Sequence, residues 1–225
     1  MFRTIFLSLL LGTILTPTSA LAQTPDDTRF YSVSYIEVNP SSNSMALTAL
    51  RRYRDVSHKH ADHIVTELFE QANRDGHFVI LETWKTQAAF DANGDVRKQL
   101  LESIQPMRLS DWDTRPYKTL SVRPGASEAG TKAVVVITHV DVSPDPAVAP
   151  LLTALAEASR GEEGNVRFDV LLHTMRANHL QIIETWQNEK ALDAHAAAAH
   201  TKKYRDDLQR FLGSPLDERL FKSIR

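Results

Sequence analysis

Two short stretches decide the fold of this 225-residue chain: Leu81-Glu82-Thr83-Trp84 and Ile183-Glu184-Thr185-Trp186. They lie 102 residues apart, and each ends an apolar segment with the same Glu-x-Trp pattern. Further segments recur at separations of 104 or 105 residues: Ile36–Val38 with Val140–Val142, Leu47–Leu50 with Leu152–Leu155, and Asp113–Leu120 with Asp217–Ile224. Several repeats in register indicate one structural unit present twice.

Each copy has the pattern of a β-α-β-β-α-β unit. Apolar residues alternate with polar ones in the strands, and they recur at i, i+3, i+4 and i+7 in the helix after Pro146. The predicted strands are Phe30–Val38, Ile64–Gln71, His77–Trp84, Tyr117–Val122, Ala133–Val142, Asn165–His173, His179–Trp186 and Arg219–Ile224. The other predicted helices are Ser44–Val56, Gln87–Ile104 and Asn188–Leu212. This order is typical of the ferredoxin-like motif.

The predicted fold class is therefore α+β, with two tandem ferredoxin-like units. A sheet with helices on one face needs cover on the other, and the second copy supplies it within the same chain. We expect the units to span 30–122 and 133–225, with a linker at 123–132 that contains Pro124-Gly125. Such a chain already contains its own dimer, so a monomer is expected, although a homo-oligomer is an alternative.

The first residues predict export. Arg3 precedes an apolar run from Ile5 to Leu15, and Ala20-Leu21-Ala22 has the form of a cleavage site. This pattern is typical of a secretory signal peptide over residues 1–22, cleaved after Ala22. We therefore expect a periplasmic or secreted protein without a membrane span after cleavage.

Composition excludes several function classes. The chain has 42% hydrophobic and 24% charged residues, which is typical of a globular protein. Its net charge of −2 provides no basic excess for binding nucleic acid. The absence of cysteine removes disulfides, thiolate nucleophiles and cysteine metal sites.

The repeated motif resembles the antibiotic biosynthesis monooxygenase (ABM) family, of the dimeric α+β barrel superfamily. The resemblance rests on the Glu-x-Trp strand end, the polar turn after it, and a following helix that carries histidine; it covers residues 30 to 225. The second copy resembles the family best, because His195 and His200 follow its strand. The first copy departs from the pattern: Asn93 and Lys98 stand at the equivalent positions. We therefore expect the first copy to be degenerate and any chemistry to lie in the second.

The resemblance implies oxidation of a small aromatic or quinol-like molecule by O2 without a cofactor. Such a substrate is its own reductant, so the protein must bind it, remove a proton and stabilise the anion. His195 is the candidate base, because a histidine pKa lies near neutral pH, and Trp186 is the candidate pocket wall. Further candidate substrate-binding residues are His139, Arg167, His173, Glu184 and His200.

Two groups of histidines raise the question of a metal site. On a straight helix, His195 and His200 point about 140° apart, and only a kink between them would let both face one pocket. His58, His60 and His63 have a spacing compatible with zinc or copper. They lie where the second copy is three residues shorter, which is typical of a solvated loop insertion. We predict no metal.

Two other functions remain open. The superfamily also contains haem-degrading enzymes, and His195 beside Trp186 is compatible with a haem ligand. A non-catalytic ligand-binding or stress-related barrel is the second interpretation, after the cofactor-independent monooxygenase, and haem binding or degradation is the third.

Overall fold

The computed structural model of the protein describes residues 27–123 and 130–225. The predicted signal peptide and residues 124–129 of the predicted linker lie outside this part of the chain. The strands are β1 (Phe30–Glu37), β2 (His63–Gln71), β3 (His77–Trp84), β4 (Asp113–Ser121), β5 (Val134–Asp141), β6 (Asn165–His173), β7 (His179–Trp186) and β8 (Asp217–Ile224). The helices are α1 (Asn43–Ser57), α2 (Gln87–Ala92), α3 (Gly94–Ile104), α4 (Val148–Ser159), α5 (Glu189–Ala197) and α6 (Ala199–Leu208).

The eight strands close into one antiparallel barrel in the order β1-β3-β2-β8-β5-β7-β6-β4. Strands β1 to β4 come from the first half of the chain and β5 to β8 from the second. The halves are joined by the β2–β8 and β4–β6 ladders. The predicted α+β barrel within one chain is confirmed. Closure pairs both edges of each half-sheet, which removes exposed strand edges.

Alternate side chains of a strand lie in two different hydrophobic cores, one inside the barrel and one between the barrel and the helices. On β7, Ile183 faces the barrel interior, which is filled by apolar residues from both halves. Leu180, Ile182 and Trp186 face outward and pack under the helices of the second half. Since strand side chains alternate, Glu184 also lies on this helix-covered face.

Both long second helices of the repeats are interrupted, which the sequence did not predict. The helix predicted for Asn188–Leu212 breaks at Ala198, whose extended backbone (φ −63°, ψ 146°) separates α5 from α6. The helix predicted for Gln87–Ile104 divides at Asn93. Alanine has the highest helix propensity, so the break at Ala198 has a tertiary origin. Within the described residues, no helix is both long enough and apolar enough to cross a membrane.

Candidate active site

A cavity of about 340 Å³ lies between the sheet of the second half and the helices α4, α5 and α6. Its volume is in the range of small-molecule sites. Its lining combines six apolar side chains with eight polar ones, and the polar ones are Thr138, Glu184, Asp193, His195, Thr201, Tyr204, Arg205 and Glu218. The apolar side chains can contact an aromatic ring, and the polar ones can bind an oxygen that the ring carries.

Local sequence places α5 directly over the end of β7. The Asn188 side chain caps this helix by accepting a hydrogen bond from the backbone N–H of Ala191. Gly164 lies below the helix with a positive φ of 83°, and a Cβ at this position would approach the Cβ of Ala191 to 2.6 Å. Glycine is therefore required where the helix crosses the loop before β6.

His195 is held between an indole ring and two carboxyl groups. Its ring is buried and stacks on Trp186, with centroids 4.6 Å apart and an interplanar angle of 28°. Its Nδ1 lies 2.6 Å from Oε1 of Glu162, and its Nε2 lies 3.7 Å from Oε2 of Glu184. Because a carboxylate accepts the Nδ1–H bond, the neutral ring has its lone pair on Nε2. That nitrogen is the basic atom.

Burial shifts two ionisable groups of the cavity toward their neutral forms. It raises the pKa of Glu184 to about 7, although the indole N–H of Trp186 donates to Oε2 over 2.9 Å and opposes this shift. It also lowers the pKa of His195 below its usual value, against the opposing effect of Glu162. Near neutral pH, an unprotonated imidazole thus faces a carboxyl group that can hold a proton.

His200 reaches the same carboxylate oxygen as His195. Its Nε2 lies 2.8 Å from Oε1 of Glu162. The sequence left open whether a kink brings the two histidines together, and the break at Ala198 is such a kink. The extended residue Ala198 redirects α6, and Glu162 then meets an imidazole from each helix.

The first half carries a neutral polar pair in the equivalent place. Asn93, the counterpart of His195, donates from Nδ2 to Oγ of Ser57 over 2.9 Å. Ser57 lies 105 residues before Glu162, the same separation as the Leu47–Leu50 repeat. Glu82 is also buried, and it accepts hydrogen bonds from the hydroxyl of Tyr53 at 2.9 Å and the indole of Trp84 at 3.3 Å.

Three predicted substrate-binding residues lie away from this cavity, and neither His200 nor the predicted pocket wall Trp186 is among the residues that line it. Arg167 is buried in an ion-pair network with Glu67 and Asp169. His139 lies on the opposite face of β5 from the cavity, with its Nε2 3.4 Å from Nδ1 of His179. His173 lies at the end of β6, where its Nδ1 accepts from a backbone N–H. Period-two alternation separates these side chains from the face that bears Glu184 and Trp186.

The histidine loop of the first half is more closely packed than expected. The rings of His60 and His63 lie 5.3 and 4.9 Å from the ring of Trp84, and His63 Nε2 lies 2.8 Å from the hydroxyl of Thr66. Across the described ranges, the ring nitrogens of His58, His60 and His63 do not come together as a possible metal-binding group.

Two residues of the cavity region were missed by sequence reasoning. Glu162 lies in the polar loop before β6, and the signal that could have identified it is the repeat itself, which aligns it with Ser57 as His195 aligns with Asn93. Tyr204 is not among the residues that the sequence singled out. Its buried hydroxyl has no hydrogen-bond partner among residues 27–123 and 130–225, and burial raises its pKa.

The comparison with known families agrees with this geometry. Residues 133–207 match the family model described as Antibiotic biosynthesis monooxygenase. The matched range is one third of the chain, and it lies in the second half, which is therefore similar to the ABM family. Glu184, Trp186, His195 and His200 all lie within the matched range.

One curated protein and several solved structures are similar to the chain. A Bacillus subtilis protein named "Putative monooxygenase YcnE" is 29% identical over 86 residues, which are 37% of this chain and 90% of that protein. A "Putative monooxygenase" structure from Fusobacterium nucleatum has a TM-score of 0.79 at 14% identity, covering 88% of this chain and 93% of that one. An "anthrone oxidase-like protein" has a TM-score of 0.66 at 10% identity, covering 88% and 92%. At these identities, the structural matches show that the fold of the whole chain is shared.

Proposed function

We propose that the protein is a monooxygenase that uses O2 to oxidise a small, electron-rich phenol in the cavity of its second half. The observation that carries the proposal is the position of His195. Its Nδ1 is occupied by Glu162, which leaves the basic Nε2 on the side of Glu184 and the cavity. Buried, oriented imidazoles of this kind serve as general bases.

The proposed reaction converts a ring C–H para to the phenol hydroxyl into a carbonyl. His195 Nε2 removes the phenolic proton, and the phenolate transfers one electron to O2. The resulting phenoxyl radical and superoxide form a C–O bond, and the protonated imidazole returns its proton to the peroxide. Loss of the ring C–H proton breaks the O–O bond, and the leaving hydroxide takes up a proton to form water. Because the substrate supplies all four electrons, this step requires no flavin or metal.

The neighbouring residues support these steps. Glu162 stabilises the imidazolium that forms, as a buried carboxylate does in a catalytic triad. Tyr204 presents the unpartnered hydroxyl, which suits a donor to the phenolate oxygen. Glu184, with its raised pKa, can deliver a proton as the O–O bond breaks. Trp186 gives His195 an apolar support and keeps water from that face of the ring.

The test is oxygen consumption with a panel of anthrones and of phenols whose para position carries hydrogen, using protein freed of metal by a chelator. We expect His195→Ala to lower kcat/KM by about 10²- to 10⁴-fold, which is the usual contribution of a general base. Asn93→Ala is the matched control, because it removes the equivalent buried polar contact from the first half. If wild type binds these aromatics, measured by quenching of tryptophan fluorescence, but consumes no oxygen, the chain is a binding protein. A Soret shift on addition of haem would instead favour haem binding.

We further propose that the chain is exported after cleavage at Ala22 and works as a monomer made of two units and a linker. The N-terminal pattern of the sequence supports export, and closure of the barrel within one chain supports the monomer. The mass of the protein recovered from the periplasm tests the cleavage site. Light scattering after size-exclusion chromatography tests the monomer.

A further inference from the structure

Glu162, His195 and His200 form a compact group, which we call the carboxylate–histidine cluster. One oxygen, Oε1 of Glu162, lies 2.6 Å from Nδ1 of His195 and 2.8 Å from Nε2 of His200. All three ligand atoms lie within 4.8 Å of one another. Residues from the loop before β6 and from two helices thus converge on one point.

The donor set is that of a transition-metal site. Two imidazoles and one carboxylate are the protein ligands of many zinc and iron(II) centres. Tetrahedral coordination with bonds of about 2.1 Å separates neighbouring ligand atoms by about 3.4 Å. The two hydrogen-bonded distances, 2.6 and 2.8 Å, therefore need to lengthen by about 0.6 to 0.8 Å once the bridging protons leave.

The cluster is accessible from solvent. The side chain of His200 is 32% exposed and that of Glu162 is 17% exposed, whereas that of His195 is 7% exposed. An ion can enter past His200, and water can fill the remaining coordination position. The break at Ala198 is the feature that makes this arrangement available, since a continuous helix would hold the two imidazoles apart.

We propose that the carboxylate–histidine cluster binds one divalent first-row transition metal ion, such as zinc. The proposal shares His195 with the proposed oxygenation but does not depend on it. A metal at Nδ1 of His195 moves the ring proton to Nε2, which then donates toward Glu184, 3.7 Å away. Carboxylate partners of this kind orient metal-binding histidines. Metal binding thus converts His195 from a base into a donor and regulates the cavity.

The first half of the chain supplies an internal comparison. Ser57, Asn93 and Lys98 occupy the positions of the cluster, and they lack its carboxylate and both imidazoles. We therefore expect a stoichiometry of one ion per chain.

The test is titration of the full, metal-free chain, without a histidine tag, with Co²⁺ alone. The visible absorption of cobalt bound to nitrogen and oxygen ligands reports binding independently of turnover. We expect saturation at one Co²⁺ per chain, and displacement by Zn²⁺. In His200→Asn and Glu162→Gln, we expect the affinity to fall by about 10-fold or more. The double variant His58→Asn/His60→Asn is the control and should bind as wild type does.

The proposal is overturned if wild type shows no saturable binding, or if His200→Asn binds within 10-fold of wild type. It is also overturned if the His58→Asn/His60→Asn variant loses the site, because the ion would then lie in the first half. Circular dichroism verifies that each variant folds. If Glu162→Gln does not fold, the Co²⁺ affinity of His200→Asn decides the test, because His200 is the most exposed of the three residues. Oxygen consumption by the metal-free protein tests the proposed function separately.

Discussion

Replacing Arg167 with methionine removes the cation from a buried ion-pair network in the barrel. Its side chain is 9% exposed, with Nη1 2.6 Å from Glu67 Oε2 and Nε 2.5 Å from Asp169 Oδ2. Burial opposes the charged form, but the two carboxylates outweigh it and raise the pKa of Arg167 above its usual value. Removing one partner of a buried pair costs about 3–5 kcal/mol, because the remaining charge stays buried.

We expect a loss near the lower limit, about 3 kcal/mol. The Asp169 side chain is 3% exposed, but Arg160 Nη2 lies 4.0 Å from it and the backbone N–H of Arg123 still donates to it at 3.2 Å. At about 2–4 °C per kcal/mol for a chain of this size, the melting temperature falls by about 6–12 °C. Urea unfolding followed by tryptophan fluorescence measures the change in the free energy of unfolding.

Arg219→Met is the matched control. It removes an arginine that pairs with Asp217, two residues away on the same strand, but these side chains are 38% and 47% exposed. An exposed pair contributes about 1 kcal/mol or less. Equal losses for Arg167→Met and Arg219→Met would refute the argument from burial. A loss of ligand affinity in Arg167→Met without a loss of stability would restore the sequence-based assignment of this residue to binding.

Three further changes test the packing and charge of the two halves. Burial raises the pKa of Glu82 above 4.5, so the folded wild type loses stability as the pH rises through that raised value. Relative to wild type, Glu82→Gln should therefore be more stable at pH 7 than at pH 4. The same difference in the free energy of unfolding at both pH values, measured with urea, would contradict this. Gly164→Ala should cost about 1–3 kcal/mol in thermal unfolding, because of its positive φ and close contact, whereas Gly130→Ala, with open space around its Cβ, should cost much less. Trp186→Phe should lower the free energy of unfolding, measured with urea, by about 1–3 kcal/mol. The loss should exceed that of Trp84→Phe, because the indole N–H of Trp186 makes the shorter hydrogen bond to a buried carboxyl group.

The fold could be predicted from the sequence because strand periodicity and repetition are properties of neighbouring residues. The bounds predicted for His77–Trp84, Asn165–His173 and His179–Trp186 agree with the structure. Strand β4 begins at Asp113 rather than at Tyr117, because ladder partners on β1 extend it. Pairing with a neighbouring strand thus lengthens a strand beyond the residues that its local sequence pattern indicates.

The candidate site was less predictable, because its decisive contacts join distant elements. His195 and Trp186 were selected from their place after the repeated strand, and they stack in the structure. The break at Ala198 has no local cause in a run of alanines, so the approach of His200 to Glu162 was not foreseen. Arg167 was predicted to bind substrate, because an isolated sequence does not show that Asp169 and Glu67 pair with it.

The contrast between the two halves supports a functional reason for the cluster. Asn93 and Ser57 satisfy each other with one neutral hydrogen bond, which is a low-cost way to fill a buried polar position. His195 and Glu162 fill the equivalent position with ionisable groups, whose burial carries a larger desolvation cost. Since the first half shows that packing alone does not require these groups, their presence in the second half is best explained by their chemistry. The same reasoning applies to Tyr204, whose buried hydroxyl has no partner in the described part of the chain, because an apolar side chain would fill that space without an unsatisfied donor.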